Sequence, residues 1–188
     1  MRRKDREMDE KFAIDVIDNS AFGVMGLVSD GIPYTVVLSI VRVDDRLYFH
    51  SATSGKKVDL IAQNEVVSVS FVSKAKVPSL FSREEIIDLV NEGDFRAIGS
   101  KVYTTEYESA HVMGRISMVT DAVEKSDALI AICKKYTPEV YDLAAPFISN
   151  SNHRTLVFRI DIDEIHGKRK AFNTSGEELK WGADDDRS

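Results

Sequence analysis

FHSATSGKKVDLI, residues 49–61, decides how the rest of the chain is read. It starts as the end of an apolar strand and passes through a histidine, four small residues and a glycine. Two adjacent lysines then lead into helical spacing, with Val58, Ile61 and Ala62 on one face. Such a handover supplies what a phosphate monoester needs. Ser51, Thr53 and Ser54 offer hydroxyls, Gly55 permits close backbone approach, the helix start leaves N–H groups unbonded, and Lys56 and Lys57 bring charge. The stretch is neither a Walker sequence, G-x-x-x-x-G-K-[ST], nor a Rossmann fingerprint. The residues alone leave a second reading open, in which Ser54 caps an ordinary helix and both lysines lie in solvent.

Outward from this stretch, period-two segments dominate. AFGVMGLV (21–28) ends at the turn Ser29-Asp30-Gly31, PYTVVLSIVRV (33–43) is rich in β-branched residues, Asp44-Asp45 marks a second turn, and RLYFH (46–50) is a third strand. EVVSVSFV (65–72) returns to strand alternation. In the segment that follows, Ser82 and Glu85 form a capping box, Ile86, Leu89 and Val90 share a face, and Gly93 stands where the helix stops. A long strand is expected over roughly 100–119, then a helix over 122–136 opened by Asp121 and Glu124, with a stripe of Leu129, Ile132 and Tyr136. TLVFRIDIDEIHG (155–167) is the last strand. About six strands with short turns predict an α+β, mainly β, antiparallel barrel-like sheet with flanking helices. Residues 1–188 read as one domain, with 75–99 as a helical insertion and 183–188 as a flexible acidic tail. Strands that are apolar on both sides, VSVSFV and TVVLSIV, predict cover by a second copy.

Composition narrows the function classes. With 25 Lys and Arg against 31 Asp and Glu the net charge is −6, so attraction to nucleic acid or an anionic membrane is not expected. Cys133 is the one cysteine and reads as a small buried hydrophobe, which favours a reducing compartment. The start MRRKDREMDEK has no apolar segment behind its charges, and no apolar run is long enough to cross a bilayer. A soluble cytoplasmic protein is the expectation. His50, His111, His153 and His166 lack metal-ligand spacing, so no metal site is predicted.

Five stretches in order, MRRKDREM, LYFHSATSGKKVDLI, TTEYESAHVMGRISMV, DAVEKSDALIAICKKYTP and FRIDIDEIHGKRK, resemble the flavin-binding split-barrel superfamily that includes pyridoxamine 5′-phosphate oxidase. Within it they are most similar to the branch of nitroimidazole-resistance proteins. The resemblance implies a homodimer of six-stranded split barrels holding FMN in clefts between subunits. It places the FMN phosphate at His50, Ser51, Ala52, Gly55, Lys56 and Lys57, and the ring beside Thr35, Val36, Val37 and Leu38. Thr104, Thr105 and Ser109 would line the same cleft from the other chain. Trp181 would cover the ring or tack down the tail, and His50 is the candidate catalytic residue. One departure matters. YTVVLS (34–39) lacks the two cations that the oxidases carry on this strand, and their substrate-grasping arginine and histidine are not evident, so oxidation of pyridoxamine phosphate is not expected. The implied activity is an FMN-dependent reductase of a small electron-poor substrate such as a nitro compound, with a nicotinamide donor. The alternative is a non-catalytic dimer binding flavin (FMN or FAD) or haem.

Overall fold

A computed structural model describes residues 3–151 and 154–180, so Trp181, His153 and the 183–188 tail lie outside the described residues. Among the described residues, eight strands form one sheet: β1 (Glu7–Met8), β2 (Gly23–Ser29), β3 (Ile32–Leu38), β4 (Val41–Val43), β5 (Arg46–Ala52), β6 (Val66–Lys76), β7 (Glu106–Met118) and β8 (Thr155–Lys170). All pairings are antiparallel, in the order β3-β2-β6-β7-β8-β5-β4, with β1 also on β8. The six long strands are those the sequence predicts. The segment 33–43 is broken at Ser39 and Ile40 into β3 and β4, so the two ends of the sheet order adjoin in sequence and the sheet is a split barrel. Tight turns set the register. Asp30 and Gly31, at φ 51° and 76°, join β2 to β3, and Asp44, at φ 53°, lies in the turn between β4 and β5.

The helices are α1 (Glu10–Asn19), α2 (Lys56–Ile61), α3 (Arg83–Glu92), α4 (Phe95–Ala97), α5 (Ala122–Tyr136) and α6 (Ala144–Ser151). The α1 helix is additional to the sequence expectation. Asp9 caps it by accepting from the Phe12 N–H at 2.8 Å, and Ala13, Val16 and Ile17 are buried against β6, β7 and β8. α3 has the expected capping box, Ser82 N–H to Glu85 at 2.7 Å and Glu85 N–H to Ser82 at 3.2 Å, and ends at Gly93 with φ 75°. None of its residues is buried. The strand expected from about residue 100 begins instead at Glu106. Residues Ile98–Val102 form a π-helical turn anchored by buried Ile98, and the Lys170 ammonium fastens it by donating to the Ser100 carbonyl at 3.0 Å. At α5 the capping box is half formed. Asp121 accepts from Val123 and Glu124 N–H, but the Glu124 carboxylate turns to the Tyr48 hydroxyl at 2.9 Å and to Arg159 at 3.1 Å.

Two apolar cores result. The larger fills the barrel, with Phe49 stacked on Phe158 at 5.3 Å between ring centres, and includes Met25, Val69, Phe71 and Val112. The smaller lies between α5, α6 and the other side of β5, where Tyr48, Leu129, Ile132 and Val157 meet and Cys133 packs at the edge. β5 is therefore covered on both faces, which fixes the direction in which its end is delivered.

Candidate functional site

β5 ends at Ala52, and residues 53–55 carry the chain to α2. Gly55 takes φ 123° and ψ 163°, a conformation that strains any side chain, and nothing lies within 4 Å of where its Cβ would be. Gly55, not Ser54, occupies the cap position, and no side chain caps this helix. The first bonded amides are those of Val58 and Asp59, both to the Gly55 carbonyl, at 2.8 and 3.1 Å. Among the described residues the hydroxyls of Ser51, Thr53 and Ser54 have no hydrogen-bond partner. α2 is only six residues long, so its dipole contributes little and the positive potential here comes from side chains.

Those side chains are Lys56 and Lys57, and neither meets a carboxylate among the described residues. The Lys56 ammonium lies over the Tyr34 ring at 4.8 Å, and the Lys57 ammonium is 5.5 Å from the Phe49 ring centre. Lys57 is half-buried, and burial lowers its pKa from the ordinary lysine value. His50, exposed at its outer edge, is lowered as well, first by desolvation of the ring and then by the charge of Lys57. In a chain of net charge −6, a half-buried ammonium with no acid among the described residues is chemically suited to an anion.

Tyr34, whose ring packs against the barrel core, also borders a groove of about 430 Å³, to whose walls Gly26, Thr35, Ser68, His111 and Met113 contribute. The register explains the grouping, since Gly26 pairs with both Thr35 and Ser68, and Ser68 pairs with Met113. Thr35 and Val37 face outward, whereas Leu38 is buried in the core and Val36 packs against it. Tyr34 and His111 belong to the arrangement although sequence reading did not select them. The Tyr34 ring supports Lys56.

Thr104, Thr105 and Ser109 stand elsewhere. Thr104 accepts from the Lys170 ammonium, Ser109 donates to the Lys168 carbonyl at 3.5 Å, and Thr105 is exposed. Their partners are at the far end of β8 from Thr155–Val157, which pair with His50–Ala52. None of their hydrogen bonds reaches the cradle. Among the described residues no group of three or more metal-ligating side chains occurs, and no helix is long and apolar enough to cross a membrane.

Residues 9–169 match the family model described as pyridoxamine 5′-phosphate oxidase. No curated protein matches the chain. Several solved structures share the fold. A candidate 5-nitroimidazole antibiotic resistance protein from Bacteroides thetaiotaomicron is 21% identical, with a TM-score of 0.62 over 87% of this chain and 86% of its own. The FAD and haem binding protein from Mycobacterium smegmatis is 18% identical, with a TM-score of 0.70 over 97% and 77%. The flavocytochrome Anf3 from Azotobacter vinelandii is 17% identical, with a TM-score of 0.65 over 95% and 71%.

Proposed function

Since this chain belongs to the pyridoxamine 5′-phosphate oxidase family, we propose that it is a cytoplasmic flavoprotein that binds FMN and reduces a small electron-poor substrate such as a nitro compound. One observation carries the reading: among the described residues, Lys56 and the half-buried Lys57 stand without a carboxylate beside unpaired hydroxyls and an open glycine. A phosphate monoester satisfies all of these groups at once. His50, Ser51, Ala52, Gly55, Lys56 and Lys57 hold it, while Thr35, Val36, Val37 and Leu38 offer β3 to the ring. When bound, the flavin supplies two-electron chemistry, and the chain supplies binding, orientation and exclusion of water. The electron pair originates from a nicotinamide donor and ends on the substrate.

A homodimer completes the site. Thr104, Thr105 and Ser109 do not reach the cradle of their own chain, so they serve the cleft of a second copy. The outer sheet face supplies apolar surface for that contact, with Val37, Val66 and Val72 at 60%, 42% and 51% exposure. The 75–99 segment is an insertion on one domain, and deleting it leaves the dimer intact while changing substrate access. The support for FMN over FAD is that the cradle offers groups for a terminal phosphate. Pyridoxamine phosphate oxidation is set aside because Tyr34–Ser39 carry no cation.

A second reading, a non-catalytic flavin- or haem-binding dimer, is favoured by one feature, the pairing of His111 with His166 across β7 and β8. The absorption spectrum of the isolated protein separates the two. A flavin spectrum that bleaches with a nicotinamide donor and returns on adding a nitro compound supports the reductase. A haem band supports the second reading, and a colourless protein that does not bind added FMN contradicts both.

A further inference from the structure

We propose that His111, and not His50, delivers the proton during substrate reduction. The inference deepens the reductase reading above and rests on it. Reduction in a groove needs a proton source beside the reacting atoms, and the groove walls hold few titratable groups. His111 is the one imidazole there, and Tyr34 is the other ionisable side chain, its ring engaged beneath Lys56. His50 sits at the end of β5 next to Lys57, at the anion-binding end of the site. Cationic character there opposes a proton on its ring.

The neighbours of His111 suit the task. Ser70 on β6 is its cross-strand partner, and the Ser70 hydroxyl lies 3.3 Å from Nδ1. That contact occupies Nδ1 and leaves Nε2 for a ligand. In the imidazolium form Nδ1–H donates to Ser70 Oγ. Loss of the Nε2 proton leaves the neutral ring held by the same bond, ready to regain a proton from water. For a nitro compound the balance closes. A hydride equivalent from the nicotinamide donor brings two electrons and one proton, His111 adds the second proton, an N–O bond breaks, and the nitroso product and water result. The groups around the ring are few. β6 presents Val66, Ser68, Ser70 and Val72 at its outward positions, and on β8 His166 lies directly across, with Glu7 on β1 and Glu164 near that ring at 3.7 and 3.6 Å. His166 is therefore the control.

The test uses the full-length protein loaded with FMN, reduced anaerobically, and mixed with 2-methyl-5-nitroimidazole while flavin re-oxidation is followed. H111Q slows re-oxidation by about 100-fold and removes its loss with rising pH, whereas H166Q keeps the wild-type profile. S70A slows it less and displaces the profile, as a positioning residue should. His111 is exposed, so H111Q folds normally and keeps FMN affinity within about twofold. A second readout needs no turnover. In side-chain NMR of the flavin-free protein, adding FMN shifts the imidazole resonance that H111Q lacks. If FMN binds but H111Q re-oxidises at the wild-type rate, or the resonance does not move, the role of His111 is overturned and the flavin reading stands. Failure of the wild-type protein to bind FMN overturns both.

Discussion

Lysines cluster near both ends of β8, yet several at the far end pair with carboxylates whereas Lys56 and Lys57 at the near end meet none among the described residues. At the far end three lysines on or beside the barrel pair with carboxylates, while Lys168 lies over the Tyr107 ring. Lys76 pairs with Glu106 at 3.0 Å, Lys74 with Glu108 at 3.2 Å, and Lys180 with both Asp5 and Glu178, while Lys170 donates to Ser100 and Thr104. Glu106 and Glu108, 7% and 8% exposed, are more buried than the lysines they pair with, and the cations Arg169 and Lys170 are buried beside them at 6% and 5%. At the near end Lys56 and Lys57 have aromatic faces and, among the described residues, no acid, and the half-buried member is the cation. A paired charge closes a barrel end. A half-buried charge without a counter-ion costs stability, and the proposed phosphate would offset that cost at Lys57.

The largest expected effect breaks this contrast directly. Lys56→Ala with Lys57→Ala weakens FMN binding by about 2–4 kcal/mol in a flavin fluorescence titration. Lys74→Ala with Lys76→Ala leaves FMN affinity unchanged. Equal losses from the two pairs would show that the ends do not differ in function. Next, Glu106→Ala lowers unfolding stability by about 2 kcal/mol in urea, because its carboxylate accepts from the Phe172 N–H at 2.8 Å as well as pairing with Lys76. FMN affinity does not follow it.

Gly55→Ala is expected to cost about 1–3 kcal/mol through backbone strain at φ 123°, with no steric clash to add to it. Thermal melting measures the cost, and weaker FMN binding accompanies it if the cradle relaxes. The smallest effect is a pH dependence with two signs. Burial lowers the folded-state pKa of Lys57, so between that value and the ordinary one, about 10.4, the unfolded chain holds a proton that the folded chain has lost. Stability contributed by this residue therefore rises with pH across the window, while affinity for an anion falls. Lys57→Met removes both trends. If stability and affinity move in the same direction in the wild-type protein, Lys57 is not the group responsible.

Much of the barrel is legible in the sequence because its signals are local. The two-residue alternation of β5 and β8, the Asp30-Gly31 turn and the Ser82–Glu85 box each need only neighbours to act. What escapes the sequence depends on distant partners. α1 is stabilised by burial of Val16 and Ile17 on three strands, so its weight shows only after the sheet forms. Glu124 leaves its capping box because Tyr48 and Arg159 lie above it. The π-turn at Ile98–Val102 replaces strand because Lys170 draws its carbonyl. The site divides along the same line. The basic cluster is contiguous and can be read from SGKK, whereas the groove that Tyr34 and His111 border is assembled by sheet register across β2 and β6.

The most direct test compares two ligands that differ only in the phosphate that the cradle is proposed to hold. Isothermal titration of the intact protein with FMN and with riboflavin should give FMN the tighter binding by roughly 30- to 700-fold. Equal affinities would mean that Lys56 and Lys57 do not hold a phosphate, and the functional account would fall with them.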